Sequence, residues 1–132
     1  MFLIDTNICI YLIKKNPIAV VNKVKAYEPY QIKVSAVTVA ELEYGASKSK
    51  AVEKNRTVLI KFLSSFEIIS FDDQDAECFG QIRTYLEGIG KIIGSYDMLI
   101  AAQAVCKNLI LVTNNVKEFG RIPNLNIQNW VN

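Results

Sequence analysis

The sequence predicts an α/β fold with a mainly parallel central sheet, formed by residues 1–132 as a single domain. One observation predicts the fold class and a second predicts the single domain. Short runs rich in Ile, Val, Leu and Phe alternate along the chain with longer segments whose apolar residues recur at helical spacing. No repeat, low-complexity tract or Pro/Gly/Ser-rich linker divides the chain. Helices between consecutive strands are typical of parallel sheets, because each parallel connection needs a long crossover.

The first half of the chain opens with an apolar run at residues 1–4, typical of a buried strand. Helical spacing over residues 6–15 follows, until Pro17 interrupts that helix and can open the next one. A second strand is predicted at residues 32–35, and a helix at about residues 39–47. This half therefore already contains two strands with helices between them.

Residues 51–66 form the next predicted helix, which is amphipathic. We expect one side of it to pack mainly against the core, through Val52, Leu59, Phe62, Leu63 and Phe66. The chain then continues with a β-rich strand (67–71) and a helix (73–86) that ends near two glycines. An Ala-rich helix (97–106), a strand (109–113) and an edge strand (126–128) complete the predicted fold.

The composition excludes a disordered chain, with 51% hydrophobic and 21% charged residues. No apolar run reaches the roughly 18 residues that a membrane span needs. The first four residues lead directly to Asp5 without a basic residue, so we do not expect them to be a signal peptide. Cys9, Cys78 and Cys106 are widely spaced in apolar surroundings, so we expect buried, reduced cysteines in a cytoplasmic protein.

Acidic or amide residues occur at each major junction between a strand and the following helix: Asp5, Glu41, Asp97 and the stretch from Asn115 to Glu118. The carboxyl ends of parallel strands gather at one edge of a sheet, so these side chains are expected to meet there. Clustered carboxylates repel each other unless a cation lies between them, and Mg²⁺ or Mn²⁺ prefers such oxygen ligands. Because the chain has no histidine, a His-dependent triad is excluded. Hydrolysis assisted by one or two divalent ions is the predicted chemistry.

Each acid also has a structural explanation. Asp5 can cap the helix that follows it. The spacing of Thr38 and Glu41 fits a capping box, and Asp97 falls in the first turn of its helix, where the helix dipole favours a negative charge. Capping alone does not require a carboxylate at every junction. Their recurrence therefore favours a site.

Other motif interpretations are weaker. The Asp5-Thr6-Asn7 segment lacks the second acid of a phosphoaspartate phosphatase, and Thr113 and Asn114 stand where a receiver domain needs a lysine. The acidic run at residues 73–77 lacks the glycine of a calcium loop and is better explained as the first turn of a helix. No glycine-rich phosphate loop is present, so a nucleotide cofactor is not expected.

Charge is distributed unevenly along the chain. Residues 1–61 carry ten Lys or Arg against five Asp or Glu, whereas residues 62–132 carry five against eight. A nucleic-acid backbone is one partner that fits the basic half. Solvated helix faces explain the same charges equally well.

Taken in order, four motifs resemble PIN-domain ribonucleases, and more narrowly the VapC toxins of bacterial toxin–antitoxin pairs: Asp5-Thr6-Asn7, Ala40-Glu41-Leu42 with Gly45, Ile93 to Asp97 with Ala101-Ala102, and Thr113 to Phe119. The closing segment, residues 121–130, fits the same subgroup. The resemblance implies a PIN-like three-layer α/β/α sandwich. It also implies a Mg²⁺- or Mn²⁺-dependent endoribonuclease that cuts RNA. Initiator tRNA, cleaved in its anticodon stem-loop, is the substrate associated with this subgroup.

By position, Asp5, Glu41 and Asp97 match the three acids that hold metal in the family. Asn115 stands where many PIN domains have Asp, and Glu118 is an alternative source of the fourth charge. The predicted catalytic residues are the four acids, Asp5, Glu41, Asp97 and Glu118.

Three further polar residues match family positions that orient carboxylates or water: Thr6, Asn7 and Thr113. The resemblance also implies a VapB-type antitoxin that holds the enzyme inactive, and a homodimer. The helical span at residues 50–66 is the predicted antitoxin contact. Two alternatives remain, a catalytically silent PIN domain that binds RNA or protein, and a metal-dependent DNA nuclease.

Overall fold

A parallel five-stranded sheet forms the centre of the protein, whose computed structural model describes residues 1–131. Asn132, the last residue of the predicted domain, lies outside the described residues. In chain order the elements are β1 (Phe2–Ile4), α1 (Thr6–Lys14), α2 (Ile18–Lys25), a 3₁₀ turn (Pro29–Gln31), β2 (Ile32–Ser35), α3 (Ala36–Ser47), α4 (Val52–Leu63), β3 (Glu67–Ile69), α5 (Asp73–Gly88), α6 (Ser95–Cys106), β4 (Ile110–Val112), α7 (Val116–Phe119) and β5 (Ile127–Gln128).

The strand order is β3-β2-β1-β4-β5, and every neighbouring pair is parallel. In the central strand, Ile4 pairs with Val34 of β2 and with Val112 of β4. The residues that follow these three therefore leave the sheet at the same level of one edge. The predicted α/β class with a mainly parallel sheet is confirmed.

Helices cover both faces of the sheet, because successive side chains of a strand point to opposite sides. On one face, Leu3 and Leu111 pack with buried residues of α5, α6 and α7. On the other, Phe2 and Ile4 pack with buried residues of α1, α2, α3 and α4. The result is the three-layer α/β/α sandwich predicted from the family resemblance.

The start of α3 differs from the prediction. The helix begins at Ala36, because the Ser35 hydroxyl accepts a hydrogen bond from the Val37 N–H at 3.0 Å and caps it. The predicted capping box of Thr38 and Glu41 is therefore wrong. Glu41 is the sixth residue of the helix rather than a residue of its first turn.

Other differences are smaller. Helix α4 ends at Leu63, and Val52 at its start is 40% exposed instead of packing on the core, whereas Leu59 is buried as predicted. Of the three cysteines, Cys9 is buried, but Cys78 and Cys106 are only half-buried. All three are free thiols. Within residues 1–131, no helix is long and apolar enough to cross a membrane.

A buried carboxylate joins α5 to α6. Asp75 is fully buried in the first turn of α5, and both of its oxygens lie 2.7 Å from Lys107 Nζ, just after α6. Asp75 and Asp72 also form a reciprocal capping box, in which each backbone N–H donates to the other residue's carboxylate. The acidic run at the start of α5 is thus a negative first turn, as predicted.

Replacing Lys107 with Met should leave the Asp75 carboxylate buried without its cation. We expect a loss of about 2–4 kcal/mol in the free energy of unfolding, measured by urea denaturation at pH 7. This is below the roughly 3–5 kcal/mol typical of a fully buried pair, because the Lys107 side chain is 29% exposed. Arg83→Met is the matched control, because Arg83 pairs with Glu87 on the exposed surface at 3.4 Å. Such a pair contributes only about 0.3–0.5 kcal/mol. Equal losses for the two variants would contradict the role assigned to Lys107.

Candidate active site

Asp5 lies at the centre of the carboxyl edge of the sheet, directly after β1. Its backbone N–H donates to the Val112 carbonyl oxygen at 3.1 Å, which extends the pairing with β4 by one bond. Its carboxylate accepts from the Ile8 N–H at 2.9 Å and caps α1, as predicted. The side chain is only 4% exposed, so its position is fixed by the sheet and the helix together.

Thr113, the residue after β4, supports Asp5 from the neighbouring strand. Its hydroxyl is buried, hydrogen-bonds to the Asp5 carboxylate, and accepts from the Asn115 N–H at 2.9 Å. Burial raises the pKa of Asp5 above its usual 3.8, and the charge of Glu41 adds to the rise, while these hydrogen bonds act against it. Asp5 is thus held by hydrogen bonds in surroundings that disfavour its charge.

Glu41 reaches the same region from α3. The Thr6 hydroxyl donates to Glu41 Oε1 at 2.7 Å, and the Thr6 and Thr38 hydroxyl oxygens lie 3.1 Å apart. Thr38 is completely buried. Its contribution to this site was missed from the sequence, although its place three residues before Glu41 puts both side chains on one face of α3.

Asp97 lies in the first turn of α6, as predicted, and is half-buried. Gly94, which precedes the helix, lies next to this carboxylate: a β-carbon there would be in ordinary van der Waals contact with Asp97 Oδ2, at 3.5 Å. Burial raises the pKa of Asp97 to about 6, and three other carboxylates add to the rise: Asp5, Glu41 and Glu118. Four carboxylates from four separate elements therefore lie within electrostatic range of each other.

The fourth predicted position of the acidic site has two candidates in the region of α7, Asn115 and Glu118. Glu118 is half-buried in α7, and its charge acts on Asp97. Asn115 precedes α7 and contributes its backbone N–H to Thr113, while its side chain makes no capping hydrogen bond. The structure thus brings Glu118 to the other acids.

A cavity of about 830 Å³ opens beside Glu41. Its walls come from α1, α3 and α4, with Tyr96 of α6, and include Thr6 and the exposed Asn7. The apolar part of the lining comes mainly from Ile10 and Ile13 of α1 and from Val58 and Leu59 of α4. Glu41 therefore borders on a space large enough for a ligand.

The chemistry of the acidic cluster fits a hard divalent cation. It supplies only oxygen ligands, and a cation would relieve the repulsion that adds to the effect of burial on the pKa of Asp97. In the part of the chain that the structure describes, no three acidic or cysteine side chains are already arranged to hold an ion. Binding an ion would therefore draw the carboxylates closer together.

The PIN domain family matches residues 2–125 of the chain. The chain is 47% identical over 131 residues to Ribonuclease VapC2 of Rickettsia felis, covering 98% of both proteins. This chain belongs to the VapC family of PIN-domain ribonucleases. It is also 40% identical over 129 residues to the tRNA(fMet)-specific endonuclease VapC of Salmonella typhimurium, covering 98% of this chain and 97% of the relative.

Solved structures agree with this assignment. The crystal structure of VapBC2 from Rickettsia felis, bound to a DNA fragment from the promoter, contains a chain that superimposes with a TM-score of 0.92 at 46% identity, covering 98% of both chains. DNA-bound VapBC from Salmonella typhimurium gives the same TM-score at 40% identity, covering 98% of this chain and 97% of that one. The family predicted from the four motifs is confirmed.

The raised pKa of Asp97 makes the stability of the metal-free protein depend on pH. Because the folded pKa of about 6 exceeds the usual 3.8, the folded protein binds this proton more tightly than the unfolded chain does. The free energy of unfolding should therefore fall as pH rises through this range. Asp97→Asn removes the effect, so we expect the variant to gain stability relative to the wild type between pH 4 and pH 6.

Urea denaturation in EDTA at intervals from pH 4 to pH 8 checks this expectation. Asp73→Asn provides the baseline, because it removes an exposed carboxylate from the first turn of another helix. A constant difference between Asp97→Asn and the wild type across the whole range would contradict it.

Proposed function

We propose that this chain is a divalent-metal-dependent endoribonuclease, the toxin of a type II toxin–antitoxin system, which hydrolyses phosphodiester bonds in tRNA. The observation that carries the proposal is the convergence of four carboxylates from separate elements at one edge of the sheet, where burial first and the charges of Asp5, Glu41 and Glu118 second raise the pKa of Asp97 to about 6. Similarity to proteins called Ribonuclease VapC2 and tRNA(fMet)-specific endonuclease VapC supports the reaction and the initiator-tRNA substrate.

Asp5, Glu41 and Asp97 are the groups that would hold Mg²⁺, or Mn²⁺ in its place. A bound ion of this kind would polarise a phosphate and lower the pKa of a bound water, so that hydroxide is available to attack the phosphorus. Asp5 is the most rigid of the three, because two elements fix it. Glu41 is oriented by the Thr6 hydroxyl, and both Glu41 and Asp97 are half-buried, which leaves part of each residue accessible to a phosphate. Thr6, Asn7 and Thr113 would position these carboxylates or the attacking water.

A VapB-type antitoxin is the proposed inhibitor, supported by the VapBC complexes to which the fold is similar. Its contact is proposed on the span at residues 50–66, since Asn55, Val58 and Leu59 of α4 line the cavity beside Glu41. An antitoxin segment there would compete with RNA for access to the acids. We further propose a homodimer, as the family resemblance implies, and a cytoplasmic location, which the three free thiols support.

The acids are tested by cleavage of initiator tRNA with Mg²⁺ or Mn²⁺. Asp5→Asn and Asp97→Asn should each lower the rate by more than about 100-fold, since even residues that only orient metal ligands contribute 10- to 100-fold. Both replacements keep the side-chain shape, and Asn can still cap a helix. Asp73→Asn, at the exposed start of α5, should cleave like the wild type.

Equal, metal-independent cleavage by all four proteins would sink the proposal. If the wild type cleaves nothing, the catalytically silent alternative is favoured. Metal-dependent cleavage of single-stranded DNA at a rate equal to that of tRNA would favour the DNA nuclease.

Glu118 rather than Asn115 is proposed to supply the fourth group. Glu118→Gln should lower the pKa of Asp97 below about 6, because it removes one of the charges that raise it. It should also weaken metal-dependent cleavage. Asn115→Ala should leave the pKa of Asp97 unchanged, because that side chain is neutral. NMR titration of the Asp97 carboxyl carbon in the two metal-free variants measures this pKa. An unchanged pKa and unchanged cleavage in Glu118→Gln, with weaker cleavage in Asn115→Ala, would assign the fourth position to Asn115.

A further inference from the structure

The face of α3 that carries Glu41 also carries an aromatic and a basic side chain. Glu41, Tyr44 and Lys48 are three and four residues apart, which places them on the same side of the helix. All three line the cavity beside the carboxylates. The Tyr44 side chain is 66% exposed, and Lys48 Nζ lies 4.8 Å from the centre of its ring.

A second exposed ring reaches the same cavity from α6. Tyr96 immediately precedes Asp97 and is 58% exposed. In residues 1–131, neither Tyr96 nor Tyr44 packs against another aromatic ring, in contrast to the cluster of buried Phe2 and Trp130 with half-buried Tyr27. The exposed Tyr96 ring, and the Tyr44 ring with Lys48 Nζ over one face, are therefore not covered by another aromatic side chain.

The charge of the acidic cluster creates a need for such contacts. Four carboxylates repel an incoming phosphate backbone, so RNA must gain affinity from groups close to them. Cations and aromatic rings supply this in proteins that bind single strands, through phosphate contacts and base stacking. Lys48 and Lys14 both line the cavity, which brings two positive charges to its walls.

We propose that Tyr44, Tyr96 and Lys48 form a subsite for one unpaired nucleotide of the RNA, next to the phosphodiester that is cut. The base stacks on the tyrosine rings, and its phosphate lies near Lys48 Nζ. The cavity of about 830 Å³ is within the range that holds small organic ligands, so a single nucleotide fits. A base inside a duplex is already stacked and cannot enter, so the subsite selects loops and unpaired ends.

This inference rests on the proposed function, because it assigns the substrate of the same acids to the adjoining cavity. It concerns the part of the cavity lining that the exposed rings and Lys48 form. The apolar walls formed by Ile10, Ile13 and Val58 carry no charge that would favour a nucleotide, and they belong to the proposed antitoxin contact.

RNA binding without cleavage tests the subsite. Fluorescence anisotropy in EDTA compares a hairpin that has an unpaired loop with a fully paired duplex of the same length. Tyr44→Ala and Tyr96→Ala should each bind the hairpin about 5- to 150-fold more weakly, the range expected for loss of one stacked base. Tyr44→Phe and Tyr96→Phe keep the ring and should bind like the wild type. Tyr30→Ala is the matched control, because Tyr30 is 64% exposed and lies outside the cavity.

The positive charge of Lys48 is tested by the salt dependence of RNA binding. Lys48→Met should weaken binding of hairpin and duplex alike and reduce the slope of log affinity against log salt by about 0.7–0.9. The same variants are then assayed for tRNA cleavage with Mn²⁺. There the alanine replacements should raise KM more than they lower kcat.

Three results would overturn the inference. The first is hairpin binding by both alanine variants at wild-type affinity. The second is an equal loss of hairpin and duplex binding in the two tyrosine-to-alanine variants. The third is loss of antitoxin binding by these variants with RNA binding unchanged, which would assign this part of the cavity lining to the antitoxin. Hairpin binding that depends on the tyrosines, in a wild type that cleaves no RNA, would support the subsite while the proposed function fails.

Discussion

The parallel pairing of β1 with β2 and β4 determines where each group at the carboxyl edge stands. Because Ile4 is in register with both Val34 and Val112, the next residue of each strand emerges at one level. Those residues are Asp5, Ser35 and Thr113. Asp5 is the innermost acid, Ser35 starts the helix that carries Glu41, and Thr113 hydrogen-bonds to Asp5. One register thus positions an acid, a helix and a supporting hydroxyl.

The same arrangement brings like charges together at a cost to stability. The fold compensates with hydrogen bonds: the Ile8 N–H and Thr113 hydroxyl donate to Asp5, and the Thr6 hydroxyl donates to Glu41. Asp97 has no comparable support among its described contacts, and burial together with its acidic neighbours raises its pKa to about 6. A folded protein tolerates such unrelieved repulsion where function requires it. A divalent cation is the partner that this charge pattern fits.

Much of the fold was predictable because its elements have clear periodicity and termini. The strand at Ile32–Ser35 was predicted at its observed ends, and the helix at Thr6–Lys14 to within one residue. Helix α7 was not, since four residues complete barely one turn and show no period. Asp5 and Asp97 were correctly placed at helix starts. The position of Glu41 within α3 was not, because Ser35 and Thr38 are both good caps and only the fold shows which one is used. Contacts between distant segments, such as Thr6 with Glu41, cannot be derived from spacing.

The central claim is that Asp5, Glu41 and Asp97 hold a divalent cation. The most direct measurement is the crystal structure of the protein soaked in Mn²⁺, with diffraction collected at the manganese absorption edge. We predict an anomalous peak between these three carboxylates, at about 2.0–2.3 Å from at least two of their oxygens. Crystals of protein that cleaves RNA in Mn²⁺, but that show no anomalous peak at these side chains, would contradict the account.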